Sequence, residues 1–463
     1  MADEHATVHV DLLVLGFGKG GKTLAGTFGR LGKRVAMVEQ SDQMYGGTCI
    51  NIGCVPTKAL VHDAEERRPG DDPAAWYEKA VTRKNTLTAA MRAKNFSMLD
   101  DQDSVTVITG RGTFVSAHEV EVTAGDDVMR ITANTIIINT GSEPIIPNID
   151  GIAESTRVVT STDAIASASL PRRLVIVGGG YIGVEFAGMY SQFGSQVTVL
   201  ESAPRVLNRE DDDVADTARA ILEENGVTFV VSARVTSIRD EPDGTTVTFT
   251  RGDSATGETV QADAVLVASG RRPATEGLGL ERAGIRTTDR GAVAVDEHLR
   301  TSAEHVFAVG DVNGGPQFTY ISLDDNRIVL NHLTGDKTRS VADRVAVPYT
   351  VFMTPSLSRV GLTEAQARDS GRNVLVAAKP VAQVAAMPRA KIVGESRGLM
   401  KFVVDADSDQ ILGAALLSYD SHEVINTVAL AMRRGATATE LREAIYTHPS
   451  MTEGLNEVLA ALA

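Results

Sequence analysis

The sequence predicts an α/β protein with two doubly wound domains built on parallel sheets, followed by an α+β domain at the C-terminal end. Three observations carry this prediction. A strand, glycine turn, helix and second strand open the chain, the same unit returns in its middle, and from residue 346 onward the pattern changes to alternating apolar runs and one helix. A chain of 463 residues has room for roughly three such domains and a large buried core.

The first unit, DLLVLGFGKGGKTLAG, reads as a buried strand, a tight turn and a helix, with Gly16, Gly18 and Gly21 in GxGxxG spacing; the next strand, RVAMVE, ends at Glu39. It recurs as RLVIVGGGYIGVEFAGMYSQFGSQVTVLE, where Gly178, Gly180, Gly183 and Glu201 each lie 162 positions after their counterparts (178 − 16 and 201 − 39). One GxGxxG is a weak signal. Two, each with a carboxylate 23 positions after its first glycine, predict two Rossmann-like domains. The glycines let backbone approach a pyrophosphate at a helix N-terminus, and the carboxylate accepts hydrogen bonds from ribose hydroxyls. Two units therefore imply two dinucleotides. Tyr181 and Ile182 complete the second turn as contact residues. Glu201 favours a free 2′-hydroxyl and repels a 2′-phosphate, which points to NADH, while Arg205 nearby keeps NADPH possible.

Between the units, GGTCINIGCVPTK (46–58) holds the only two cysteines, Cys49 and Cys54, seven residues after Glu39. As a structural disulfide the pair would close a very small loop worth only about 2 kcal/mol. A zinc site needs about four ligands, so no metal is expected. Reversible redox chemistry beside a cofactor is the better use of two thiols in a chain this long. Gly47 and Thr48 lead into the first cysteine. Strands in TIIINTGSEP (135–144) and AVLVASGRRP (264–273) run into Thr140 and Gly141, and into Gly270 and Arg271. TSAEHVFAVGDV (301–312) does the same at Gly310 and Asp311. All are candidates for backbone or side-chain contact with a cofactor edge.

Residues 62–100 read as helices flanking the first domain. VPYTVFM, LMKFVVDA and ILGAALLS suggest an antiparallel sheet, with EVINTVALAMRRG as its helix. The net charge of −15 argues against nucleic acid or an anionic membrane as main partner. The acidic N-terminal run is too short in apolar residues for a signal peptide or span, so a cytoplasmic protein is expected. His5 and His9 show no ligand spacing, and His422, beside Glu423, reads as a surface or interface residue.

With these pieces in place, nearly the whole chain resembles the class I flavoprotein disulfide reductases, the pyridine nucleotide-disulfide oxidoreductases. The resemblance implies FAD in the first unit, residues 1–150 and 274–345, and NAD(P)H in the second, 151–273. Residues 346–463 would make a homodimer. It further implies that Cys49 meets substrate and Cys54 faces the flavin. Asp311 would hold the ribityl chain, and Lys58 would pair with Glu185. YTHPSMTEGLNEV fits the family's HPxxxE motif, so His448 would reach Cys49 of the other subunit as acid and base, oriented by Glu453. Ser450 to Glu453 also has capping-box spacing, and either role or both suit the glutamate. Tyr181 resembles a tyrosine that gates the nicotinamide pocket in some relatives, and packing suits it equally.

Within the family, GFGKGGKTLAG, VTRKN with AKNF, GPQFTYISLDDNRIV and LLSYDSHEVIN resemble the bacterial reductases of reactive chlorine resistance, associated with hypothiocyanous acid and copper(II). The chain ends without the extra cysteine pair of mercuric reductases. The expected function is reduction of such a small oxidant by NADH through FAD and the cysteine pair. Dihydrolipoyl dehydrogenase is the enzymatic alternative, and a thiol redox sensor the non-enzymatic one.

Overall fold

The computed structural model describes residues 7–462 apart from 253 and 255; His5 lies outside them. The chain divides into two compact units. One comprises the chain up to Ala59 with Val81–Ile145 and Gly270–Arg344, and the other Leu60–Ala80, Ile146–Ser269 and the chain from Val345 onward.

In the first unit, β1 (Thr7–Leu15) lies parallel between β2 (Val35–Glu39) and Asp127–Ile138 in a seven-stranded sheet. Leu12, Leu13 and Val14 are fully buried, which is why this strand is apolar without alternation: Leu12 and Val14 face helical residues such as Leu24 and Ile328, and Leu13 faces Phe114, Val120 and Val122 of two further strands. Val306–Ala308 pairs with the outer flank of Asp127–Ile138, so the segment near residue 310 returns to the first sheet. α1 (Lys19–Arg30) follows β1, α2 (Thr48–Asn51) carries Cys49, and α3 (Cys54–Glu65) starts on the second cysteine. The 28-residue helix α4 (Pro73–Asp100) begins with Asp72 Oδ1 accepting the Ala75 N–H at 2.8 Å and Pro73 in the first turn, where its missing donor is harmless.

The second unit repeats the pattern with five parallel strands, in the order Thr228–Val230, Gln196–Leu200, Arg173–Val177, Ala264–Val267 and Val158–Thr160. The helix Tyr181–Phe193 follows the second glycine turn and stops at Gly194, whose φ of 110° suits the left-handed cap. An antiparallel sheet of five strands, Tyr349–Val351 to Ile411–Leu417, and the helix Ser421–Arg433 form the C-terminal part around Phe402, Leu416 and Val428.

One placement differs from expectation. Leu60–Ala80 groups with the second unit rather than flanking the first. Its side chains explain this: Arg67 Nε donates to Gln192 O at 2.9 Å, and the buried Tyr77 stacks edge-on against Phe193 and meets the Tyr190 hydroxyl at 3.0 Å. Helical periodicity identifies a buried face but not the sheet it is buried against.

Candidate functional site

The duplication extends to individual hydrogen bonds. Glu39 accepts the Phe17 N–H at 2.9 Å through one oxygen and the Ser41 N–H at 3.3 Å through the other. Glu201 accepts the Gly179 N–H at 2.6 Å and the Ala203 N–H at 2.7 Å in the same manner. Each carboxylate thus ties its own glycine turn to the end of the neighbouring strand. Burial pushes Glu39 above its usual range, against the backbone N–H groups of Phe17, Ser41 and Gln40.

Gly16 and Gly178 have φ of 96° and 112°, and a Cβ on either would strike a carbonyl, Asn139 O at 2.4 Å or Ala268 O at 2.7 Å. Only glycine fits both the conformation and the space. A Cβ on Gly18 would meet Asn139 Oδ1 at 2.5 Å, and one on Gly183 would meet Gly178 O at 1.9 Å. Gly21 donates its N–H to Asn139 Oδ1 at 2.8 Å. Gly180 caps the second helix with open space beside it, and Ile182 lies half-buried in that helix's first turn. These turns leave bare backbone at two helix N-termini, the cradle that a dinucleotide pyrophosphate requires.

The first unit closes its turn with residues the sequence did not mark. Asn139 Nδ2 donates to Val309 O at 2.6 Å, the Gly20 N–H reaches Ser322 Oγ at 3.0 Å, and the Gly310 N–H reaches the fully buried Asp325 at 2.6 Å. Asp311 Oδ2 accepts from Ser142 Oγ at 2.7 Å, and Arg271 Nε donates to the same hydroxyl at 2.9 Å. Burial raises the Asp311 carboxyl, with Ser142 and Arg271 working against it. Asp311 and Arg271 are therefore brought together as a charged, hydrogen-bonded set. Thr140 donates to Ala274 O at 2.7 Å, and Gly141, Gly270 and Gly310 all have positive φ.

Gly46 and Gly47 have φ of 94° and 80°; a Cβ on Gly47 would meet Gly18 Cα at 2.8 Å, which brings the cysteine segment against the first glycine turn. Thr48 opens α2, and Lys58 lies on α3 one turn beyond Cys54. Cys49 and Cys54 are free thiols hydrogen-bonded to each other. That bond, burial and the neighbouring sulfur push the Cys49 thiol up, while Thr319 and Lys22 pull it down. Cys54 Sγ stands 3.9 Å from Thr319 Oγ1, at the first residue of the helix Thr319–Thr334, whose positive end favours a thiolate. Lys22 and Thr319 thus belong to the site although they lie outside the cysteine and glycine motifs.

In the second unit, Tyr181 donates to Glu210 at 2.9 Å and lies 2.9 Å from the Tyr349 hydroxyl; Tyr349 also donates to Glu210, at 2.7 Å. Burial and the Glu210 charge push the Tyr181 phenol up to about 12. Arg205 is engaged by Asp212 and Asp216, both at 3.2 Å. Glu185 accepts the Phe352 N–H at 2.8 Å. His448 Nδ1 lies 2.8 Å from Glu453 Oε2, and Glu453 Oε1 accepts the Ser450 N–H at 2.8 Å while Ser450 Oγ accepts the Glu453 N–H at 3.2 Å. The reciprocal Ser450–Glu453 contact, in the turn ahead of the helix Gly454–Leu459, and the imidazole contact coexist. His422 Nδ1 lies 3.4 Å from Ser356 Oγ. Among the described residues no group of three or more His, Cys, Asp or Glu is arranged to hold a metal, and no helix is long and apolar enough to cross a membrane.

Residues 10–325 match the model of the pyridine nucleotide-disulphide oxidoreductases, and 347–459 match the dimerisation domain of that family. The chain is 47% identical to the probable pyridine nucleotide-disulfide oxidoreductase RclA of Escherichia coli, over 97% of this chain and 98% of that one. It is 34% identical to a dihydrolipoyl dehydrogenase of Mycobacterium tuberculosis, over 98% of both. The solved Cu(II) complex of the HOCl-induced flavoprotein disulfide reductase RclA from Escherichia coli superposes with a TM-score of 0.91 at 46% identity, covering 98% of this chain and 99% of that one. Two glycine cradles, each closed by its own carboxylate, and a cysteine pair against the first of them agree with these matches: the chain belongs to the pyridine nucleotide-disulfide oxidoreductase family, as a flavoprotein disulfide reductase that uses FAD and NAD(P)H.

Proposed function

We propose that this enzyme passes electrons from NADH through FAD and the Cys49–Cys54 pair to a small oxidant, hypothiocyanous acid or a related reactive chlorine species, in the cytoplasm. The observation that carries the reading is the likeness to RclA over almost the full length of both chains, well above that to dihydrolipoyl dehydrogenase. Copper(II) is a second oxidant worth testing, because the solved relative is a Cu(II) complex.

Bound FAD supplies the two-electron link between NADH and the cysteine pair. The residues of the chain do the rest. Gly16, Gly18, Gly21, Glu39 and Asp311 would hold FAD, and Gly178, Gly180, Gly183 and Glu201 would hold NADH. Once reduced, Cys49 attacks the sulfur of hypothiocyanous acid. The sulfur–oxygen bond breaks, the oxygen leaves as water with a proton from His448 of the partner subunit, and a thiocyanate adduct remains on Cys49. The Cys54 thiolate then attacks Cys49 Sγ, re-forming the disulfide and releasing thiocyanate. Glu453 fixes the imidazole for the proton transfer.

The test is steady-state NADH oxidation by the purified holoenzyme with hypothiocyanous acid, lipoamide, glutathione disulfide and copper(II) side by side. A kcat/KM for hypothiocyanous acid far above that for lipoamide is expected. Fast lipoamide turnover would move the protein to the dehydrogenase branch, and a single turnover without steady NADH consumption would make it a sensor.

A further inference from the structure

Positive charge gathers beside Cys49 that neither the glycine cradle nor the cysteine pair explains. Lys22, on α1, donates its ammonium to Asn95 Oδ1 on α4. Asn95 is itself anchored through Nδ2 to Met91 O at 2.7 Å and lies against the cysteine segment, since a Cβ on Gly46 would meet Asn95 Cγ at 3.2 Å. Arg92, on the same helix, donates to Asn51 Oδ1 at 3.2 Å, and the Asn51 amide ties back to Tyr45 O at 3.0 Å and Gly47 O at 2.9 Å. The short helix carrying Cys49 is therefore braced through Asn51 to one cation and flanked through Asn95 by another.

Both cations are partly buried, and both donate to neutral oxygens; among the described residues no carboxylate pairs with Lys22 or Arg92. Half-buried cations in folded proteins are ordinarily paired, because desolvation is costly otherwise. Lys22 and Cys49 interact electrostatically, each drawing the other toward its charged form. A cation held by a neutral amide beside a nucleophilic thiolate is suited to receive an anion that arrives with the substrate.

We propose that Lys22, beside the short helix that Arg92 braces through Asn51, forms a small-anion subsite at Cys49 that selects anionic oxidants over neutral disulfides. The inference rests on the function proposed above and names its substrate class: the hypothiocyanite anion rather than the neutral acid alone. The Cys49 thiolate donates an electron pair to the substrate sulfur and the sulfur–oxygen bond breaks. The oxygen takes up two protons, one from His448 and one from solvent, and leaves as water. When Cys54 displaces the thiocyanate, that anion departs across the same ammonium. Two thiolates are oxidised to one disulfide, and the oxidant takes up two electrons.

The experiment uses NADH-reduced holoenzyme, unaltered and with Lys22→Met or Lys22→Arg. It is mixed with hypothiocyanite and with two aromatic disulfides, the dianionic 5,5′-dithiobis(2-nitrobenzoate) and the neutral 4,4′-dithiodipyridine. Lys22→Met is expected to slow both anionic oxidants about tenfold or more relative to the neutral disulfide, whose own loss reads the weaker pull on Cys49 common to all oxidants, and Lys22→Arg to restore most of that ratio. Added salt should narrow the gap between the two disulfides in the unaltered enzyme, which reads the charge without any substitution. Equal loss on all oxidants, or a gap insensitive to both salt and Lys22→Met, overturns the subsite. If the unaltered enzyme ignores hypothiocyanite but the disulfide ratio still follows Lys22, the oxidant assignment falls and the subsite stands.

Discussion

One carboxylate serves two neighbours at the end of the chain: Glu453 Oε2 lies 2.8 Å from His448 Nδ1, and Glu453 Oε1 accepts the Ser450 N–H at 2.8 Å. The capping contact immobilises the carboxylate, and the immobilised carboxylate orients an imidazole that is itself largely exposed. Partial burial works to raise Glu453, but the Ser450 N–H and the His448 ring outweigh it and hold the carboxyl below its usual range.

Glu453→Gln should therefore keep much of the cap, because an amide oxygen still accepts from Ser450, but lose the charge behind His448. We expect kcat to fall about tenfold or more with little change in melting temperature. Because the folded carboxyl is depressed, its contribution is complete above the ordinary glutamate range and fades as pH falls through the lower folded value. Activity and thermal melting measured between neutral and strongly acidic pH check both statements.

The two glycine turns can be tested separately for the cofactor each would hold. Gly16→Ala drives a Cβ into Asn139 O at 2.4 Å and forces a φ of 96° on alanine, so the variant should lose FAD and its yellow colour. Gly178→Ala meets Ala268 O at 2.7 Å in the other turn, and should keep FAD while raising KM for NADH about tenfold or more. Flavin absorbance and NADH kinetics on the two variants distinguish these outcomes.

Nucleotide choice follows from engaged charges. Glu201 presents a carboxylate fixed by two N–H groups, and Arg205 is held by Asp212 and Asp216. NADH should be preferred over NADPH, and Glu201→Gln combined with Asp216→Asn should move the ratio of kcat/KM toward NADPH by about tenfold. Initial rates with both nucleotides give that ratio directly.

Desolvation and Lys19 lower the Lys22 ammonium to about 8, with Cys49 opposing them. The charged and titratable groups that act on it are Lys19 on α1 and Cys49 on α2. Lys22 is cationic below about 8 and neutral above, so the rate with an anionic oxidant should fall as pH rises through that value. Lys22→Arg, which stays charged, should flatten this limb. The pH profile of the oxidative half-reaction with 5,5′-dithiobis(2-nitrobenzoate) measures it.

Much of this site was legible because its constraints are local. Gly16, Gly178, Glu39 and Glu201 must sit at set spacings along one strand–turn–helix, and the duplication repeats those spacings. Cys49 and Cys54 are the only cysteines, and His448 and Glu453 lie five residues apart. Asn139, Ser142, Ser322 and Asp325 act across 118 to 302 residues of sequence or complete turns begun elsewhere, so no spacing betrays them. Asn139 had one visible mark, a polar residue ending the apolar run TIIIN. Lys22 had none: on a helix a lysine reads as a solvated residue until Asn95 of α4 is known to lie against it. The placement of Leu60–Ala80 was hidden for the same reason, since Tyr77 reveals that it is buried but not that Tyr190 and Phe193 bury it.

If oxidant is consumed at the Cys49–Cys54 pair, holoenzyme reduced with one equivalent of NADH per subunit and titrated with hypothiocyanous acid will show it in its thiols. Each equivalent should remove two thiols and release one thiocyanate, and Cys49→Ser, with FAD still bound, should do neither at a comparable rate. Oxidant consumed while both thiols persist, or an undiminished rate in Cys49→Ser, would contradict it.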